Sequence, residues 1–66
     1  MQRNARYILE AIVKMELQGV LPTRESIMKE TGLQRGDFQI SITKLIRDGK
    51  AQRDVNERSI IYYKSL

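Results

Sequence analysis

Basic side chains dominate the chemistry that this sequence can offer. Its 66 residues include 12 Lys or Arg, 8 Asp or Glu and neither Cys nor His, which gives a formal net charge of +4. Without Cys and His, the chain has no disulfides, no thiolate or imidazole metal ligands and no nucleophilic catalysis by either side chain. No paired carboxylates and no glycine-rich phosphate loop stand out. We therefore expect a binding protein without a cofactor rather than an enzyme, and the positive charge favours a polyanionic partner.

The residues suited to bind a polyanion occupy three places in the chain. The first place follows the only proline, the second spans residues 34–44, and the third flanks a polar turn near residue 56. Each place contains Arg, accompanied in the first two by small or hydrogen-bonding residues. The candidate binding residues are Thr23, Arg24, Gln34, Arg35, Gly36, Gln39, Ile40, Lys44, Arg53 and Arg58.

Helix one, the first element needed to position these residues, is predicted over about residues 2–18, with Gly19 ending it. Its core-facing residues at helical spacing are Tyr7, Ile8, Ala11, Ile12 and Met15. A further apolar set, which we call the second stripe, consists of Leu9, Val13 and Leu17. Two interpretations of the second stripe are open: packing against the C-terminal part of the chain, or contact with a second copy. A second copy would stabilise a domain this small by covering its remaining apolar surface.

Two further helices follow, joined by a tight turn that contains glycine. Thr23 is placed to cap helix two, which we predict over about residues 24–30. Helix three is predicted over about residues 35–48, and Gly49 follows its end. The inward-facing residues of this region are Ile27, Met28, Leu33, Phe38, Ile42, Leu45 and Ile46. The outer side of helix three is then polar apart from Ile40.

The apolar pattern changes to period two after helix three, which predicts a β-hairpin over about residues 51–64. A polar turn around Asn56 separates the two strands. Because a lone hairpin is only marginally stable, it must lean on the helices through some of residues 60–63, which are Ile60, Ile61, Tyr62 and Tyr63. The whole chain, residues 1–66, is expected to form one α+β domain of three helices followed by a C-terminal hairpin.

This order of elements resembles a winged helix-turn-helix domain, in which the hairpin is the wing. Residues 21–27, Leu-Pro-Thr-Arg-Glu-Ser-Ile, resemble the start of helix two in the DNA-binding domain of LexA-type repressors. Residues 31–38, Thr-Gly-Leu-Gln-Arg-Gly-Asp-Phe, resemble the turn and recognition helix of MarR-, GntR- and Lrp-like regulators. The resemblance implies a small phage- or plasmid-type transcriptional regulator, such as a repressor, that binds double-stranded DNA.

The resemblance also implies a role for each group of candidate residues. With helix three in the major groove, Arg35 or Lys44 would donate to guanine, Gln39 would pair with adenine, and Ile40 would touch a thymine methyl group. Gly36 would allow the backbone to approach DNA closely. Asp37 would either accept a hydrogen bond from a cytosine amino group or cap its own helix.

The remaining candidates would contact the DNA backbone and the minor groove. Thr23 and Arg24, at the start of helix two, can bind a phosphate through hydroxyl, charge and backbone N–H groups, although capping alone also explains Thr23. Arg58, with Arg53 behind it, is the candidate for a wing residue that enters the minor groove.

Two other binding functions compete with duplex DNA. A protein-interaction module would use the second stripe, Ile40 and the hairpin carboxylates Asp54 and Glu57, whereas only DNA binding requires both Arg35 and Lys44. RNA or single-strand binding favours exposed stacking aromatics, and the four aromatic residues are expected in the core or hairpin. No segment approaches the roughly 20 apolar residues of a membrane span. We therefore expect a cytoplasmic protein with no membrane partner.

Overall fold

Three helices followed by a two-stranded antiparallel hairpin form the architecture of the chain. The computed structural model describes residues 3–55 and 59–65. Its elements are α1 (Arg3–Gln18), α2 (Arg24–Thr31), α3 (Arg35–Arg47), β1 (Ala51–Val55) and β2 (Ile60–Lys64). The predicted α+β order is confirmed. Within the described ranges, no helix has the length and apolar character needed to cross a membrane.

Two helix ends differ by one residue from the prediction. α2 includes Thr31, whose hydroxyl donates to the Ile27 carbonyl at 2.8 Å, one turn earlier, as Thr commonly does inside helices. Gly32 then ends α2 with a φ of +74°, a left-handed conformation that glycine adopts without steric cost. α3 ends at Arg47 because Asp48, with a ψ of 2°, has already left the helical conformation.

The core lies between α1 and α3, with α2 and the hairpin packed against it. Phe38 and Tyr62 meet edge to face, with 5.6 Å between ring centroids and 78° between ring planes. Tyr7 was predicted in the core and is instead 40% exposed, because it sits at the edge of the α1 apolar face. The buried residues of the main core cluster are Ala5, Ile8, Ala11, Ile12, Met15, Ile27, Phe38, Ile42, Leu45, Ala51 and Tyr62, with Leu9, Met28, Leu33 and Ile46 partly buried around them.

Two neighbouring side chains of β2 are both buried although they face opposite sides of the hairpin. Tyr62 lies opposite Arg53 and turns toward the helical core, whereas Ile61 lies opposite Asp54 on the other face. Ile60 and Tyr63, also considered as hairpin supports, remain 37% and 38% exposed. The hairpin therefore leans on the helices through Tyr62, and Ile61 is buried separately from the main core cluster.

The segment between α1 and α2 extends the sheet beyond β2. The Tyr62 N–H donates to the Pro22 carbonyl at 2.9 Å, and Thr23 forms an isolated antiparallel bridge with Ile61. Residues 22–23 thus lie along the edge of β2 that β1 leaves free. The spatial order is residues 22–23, then β2, then β1, and this contact ties the start of α2 to the hairpin.

Candidate nucleic-acid interface

The short connection between α2 and α3 sets the direction of α3. Leu33 is half-buried against the core, and its N–H donates to the Thr31 hydroxyl at 3.3 Å. Gln34 precedes α3 in an extended conformation and makes no side-chain capping hydrogen bond. Asp37 is exposed in the first turn of α3, where the helix dipole favours a carboxylate. Among the described residues Asp37 has no hydrogen-bond partner. It therefore does not cap α3 by a hydrogen bond, and it stabilises the start of the helix only through its charge.

The outer face of α3 collects most of the candidate residues. Phe38, Ile42 and Leu45 turn inward and are buried, which directs the intervening positions away from the core. The side chain of Ile40 is 59% exposed, so an apolar group lies within an otherwise polar surface. Gly36, Gln39 and Ile40 are exposed at the centre of this face. The exposed Arg35 and the half-buried Lys44 lie on its opposite edges, because they are nine residues apart, and the exposed Gln34 precedes the helix.

Hydrogen bonds hold one potential base-reading side chain along the helix. The Thr43 hydroxyl donates to the Gln39 carbonyl at 2.7 Å, and Gln39 Nε2 donates to the Thr43 hydroxyl at 3.4 Å. The second of these bonds is long and exposed, so it directs the amide without locking it. Gln39 remains able to turn toward a ligand, and Thr43 belongs to the same surface.

The start of α2 is closed by hydrogen bonds within the protein. The Ser26 N–H donates to the Thr23 hydroxyl at 3.1 Å, while the Thr23 N–H donates to the Ser26 hydroxyl oxygen at 2.8 Å. This reciprocal pair is a capping box, with Ser26 in the place that Glu or Gln often takes. The predicted cap at Thr23 is confirmed, and the Thr23 hydroxyl is already engaged in it.

The other candidate at the start of α2 is an ion-paired arginine. Arg24 Nη2 lies 3.2 Å from Glu25 Oε1, and both side chains are at least partly exposed. A hydrogen bond from its own backbone N–H, followed by the hydrogen bond from Arg24, lowers the pKa of Glu25. Desolvation opposes these two effects, and smaller contributions from the charges of Arg24 and then Arg35 lower the pKa further. Arg24 is thus partly neutralised at the start of α2.

The hairpin contributes one described candidate. Arg53 is exposed and lies opposite Tyr62, so both side chains project from the same face of the hairpin. Because Tyr62 contacts Phe38 of α3, Arg53 is on the side of the hairpin that faces α3. Arg58, the other predicted wing residue, lies outside the described residues.

The basic residues of the candidate interface differ in whether an acidic side chain pairs with them. Arg35, Lys44 and Arg53 form no ion pair with another described residue, whereas Arg24 does. A fifth basic residue, Arg47, was overlooked as a candidate although it follows Thr43 by one helical turn on the same face. Its side chain is 70% exposed and lies 3.8 Å from the Asp48 carboxylate. Helical spacing from Thr43 was the signal that could have identified it.

α1 carries a separate apolar feature on the side turned away from the core. Leu9 packs partly against the core, Val13 is half-buried and Leu17 is 84% exposed. With Lys64 of β2 they line an open groove of about 570 Å³. Glu10 and Lys14 stand along the same groove, and Lys14 also pairs with Glu30 of α2 at 2.8 Å. Leu9, at one end of the second stripe, therefore supports packing within the chain. Leu17, at the other end, is exposed and available for contact with a second copy.

The chemistry of the candidate interface is that of donors and positive charge. It can offer guanidinium, ammonium and amide groups to phosphates or base edges. In residues 3–55 and 59–65, no group of three or more His, Cys, Asp or Glu could hold a metal ion. The sequence matches no protein-family model and no curated protein.

Proposed function

We propose that the chain is a winged-helix module that binds double-stranded DNA and regulates transcription, with α3 as the recognition helix. The observation that carries the proposal is the outer face of α3, where the exposed Gln39 is flanked by Arg35 on one edge and the half-buried Lys44 on the other edge of a well-packed helix. Neither Arg35 nor Lys44 is neutralised by a described acidic residue within ion-pair distance. A helix fits the major groove of B-form DNA, where such side chains meet base edges.

The sheet order supports the same proposal. Residues 22–23, β2 and β1 lie in that order, so the hairpin is fixed beside the start of α2, where it would flank a duplex bound by α3. The hairpin is then the wing, with Arg53 on its α3-facing side, while Arg58 lies outside the described residues. These arginines would contact the DNA backbone or the minor groove.

Gly36 provides independent support for a close ligand approach. A Cβ built at Gly36 meets no atom within 4 Å, and the residue has no left-handed φ. The fold therefore gives no reason for glycine in the first turn of α3, where it lowers helix stability. A DNA backbone or base edge that approaches α3 closely at this point would explain the choice.

A second copy of the chain is the proposed occupant of the α1 groove. If two α1 helices pack antiparallel about a two-fold axis near Val13, Leu9 of one copy meets Leu17 of the other. The same arrangement brings Glu10 of one copy toward Lys14 of the other, so the apolar seam has complementary charges on its flank. Two joined copies would bind adjacent half-sites and gain affinity that a single module lacks.

A protein-interaction module is the second candidate, and Leu17 is the observation that favours it. Leu17 is 84% exposed and continues the apolar lining that Leu9 and Val13 give the α1 groove, and a contiguous apolar surface indicates an interaction site. This candidate needs no positive charge on α3. It therefore predicts that removing the charges of Arg35 and Lys44 leaves the affinity for the partner protein unchanged.

The test is titration of isotope-labelled protein with a mixed-sequence duplex at two salt concentrations. We expect amide shifts at residues 23–24 and 35–44 and in the hairpin, with a log–log salt slope of roughly −5 for five or six neutralised phosphates. The double variant R35Q/K44Q should bind roughly 20-fold more weakly at 0.2 M salt, because each lost phosphate-type contact is worth about fourfold there.

The matched control is R3Q/R6Q, which removes the same charge from the start of α1. It should change the affinity by less than about twofold, because net charge acts only through weak, screened fields at that distance. Equal losses in both double variants would contradict recognition by α3. No duplex binding at either salt concentration, with retention of a partner protein instead, would favour the interaction module.

A further inference from the structure

An acidic side chain stands among the basic residues of the candidate interface. Arg24 Nη2 donates to Glu25 Oε1 at 3.2 Å, and the Glu25 side chain is 74% exposed. The Glu25 carboxylate therefore directly engages Arg24, one of the basic residues proposed to bind phosphate.

Glu25 contributes little to the stability of the fold. α2 is already capped by the reciprocal hydrogen bonds of Thr23 and Ser26, and the Glu25 side chain is 74% exposed. A first-turn carboxylate gains only a modest stabilisation from the helix dipole. An exposed ion pair between neighbouring residues contributes little as well. Its position beside Arg24 therefore has more consequence for binding than for stability.

We propose that Glu25 favours DNA specificity by restraining phosphate binding at the start of α2. The inference rests on the DNA-binding function proposed above. A phosphate that approaches the start of α2 must compete with the Glu25 carboxylate for Arg24 and is repelled by it. Phosphate contacts strengthen binding to every sequence, whereas base contacts strengthen binding only to the correct one. Weakening the phosphate contacts raises the ratio of specific to non-specific affinity.

The experiment compares wild type and Glu25→Gln on one mixed-sequence duplex over a range of salt concentrations. Release of Arg24 adds about one phosphate contact, so the log–log salt slope should steepen by about 0.9. With an unchanged intercept at 1 M salt, that slope predicts roughly 15-fold tighter binding at 0.05 M and roughly fourfold at 0.2 M. Circular dichroism of both proteins checks that the helices are retained.

Glu16→Gln is the matched control. Glu16 is also an exposed glutamate in a helix, and its substitution changes the net charge equally. It lies on α1, outside both the proposed interface and the groove proposed for a second copy, so its salt slope should match that of wild type. The double variant E25Q/R24Q completes the test, because the gain of Glu25→Gln should disappear when Arg24 is also removed.

The possible outcomes distinguish failure of the proposed Glu25 role from failure of the proposed DNA binding. A steeper slope for Glu25→Gln alone, abolished in E25Q/R24Q, supports the role of Glu25. Equal gains for Glu25→Gln and Glu16→Gln, or no gain while wild type binds the duplex, overturn that role and leave DNA binding intact. If neither wild type nor Glu25→Gln binds the duplex at low salt, the proposed function and this inference both fail.

Discussion

Replacing Gly36 with alanine should change protein stability and DNA affinity in opposite directions. The added Cβ meets nothing within 4 Å, and Gly36 has no left-handed φ, so alanine fits without strain. Alanine favours the helix and restricts the unfolded chain, which should stabilise the protein by about 0.5–1 kcal/mol. For a domain of this size, the melting temperature should rise by roughly 2–8 °C.

DNA affinity should move in the opposite direction. If the backbone at residue 36 approaches DNA, a methyl group there obstructs a contact worth about 1 kcal/mol, or roughly fivefold in affinity. Thermal unfolding followed by circular dichroism and duplex titration at fixed salt measure the two effects on the same samples. The expected result is a variant that is more stable and binds less well.

Gly32→Ala is the control for the stability part of this prediction. A Cβ at Gly32 also meets nothing within 4 Å, but the residue has a φ of +74°. Alanine in that left-handed conformation costs about 1–2 kcal/mol, so the melting temperature should fall. Destabilisation by Gly36→Ala would refute the structural argument, and unchanged DNA affinity in a stabilised variant would refute close approach at residue 36.

Three further predictions follow from particular contacts. Thr23→Ala should lower the free energy of unfolding by about 1 kcal/mol in urea titrations, because the capping box is lost, and an unchanged midpoint would contradict this. Leu17→Glu should abolish concentration-dependent dimerisation in sedimentation equilibrium, whereas Ile40→Glu should not; a monomeric wild type would exclude the second copy. The Glu25 carboxyl should titrate below its ordinary pKa of 4.5, so its contribution to stability is present above pH 4.5 and disappears as the pH falls through the lowered pKa. Carboxyl NMR shifts against pH test this, and a midpoint at or above 4.5 would contradict it.

The elements were predictable because their signals are local. Apolar spacing on α1 and α3, the threonine cap at residue 23 and glycines after each helix place the boundaries within about one residue. The prediction that Tyr7 lies in the core was wrong for a physical reason. Tyr7 neighbours Ile8 in the apolar pattern, yet Tyr7 lies at the edge of the α1 apolar face, where its hydroxyl can stay in water.

The contacts between elements were not predictable in the same way. The hydrogen bond from Tyr62 to Pro22 joins residues far apart in sequence, and nothing in the apolar segment before Pro22 distinguishes a strand edge from a loop. Val20 and Leu21 in that segment are 46% and 63% exposed. The ion pair that engages Arg24 was also missed. Adjacent residues in a helix usually diverge, so an interaction between Arg24 and Glu25 has little signal in sequence spacing.

The two halves of the candidate interface differ in how closely they are tied to the fold. The start of α2 serves stability directly, because Thr23 caps the helix and bridges Ile61 of β2. The outer face of α3 gives no side chain to the core, so Arg35 and Gln39 can change without loss of packing. In a domain with so small a core, stability is marginal and loss of folding easily mimics loss of binding. Variants on α3 therefore report on recognition itself, whereas variants at Thr23 combine recognition with folding and need a stability measurement beside every affinity.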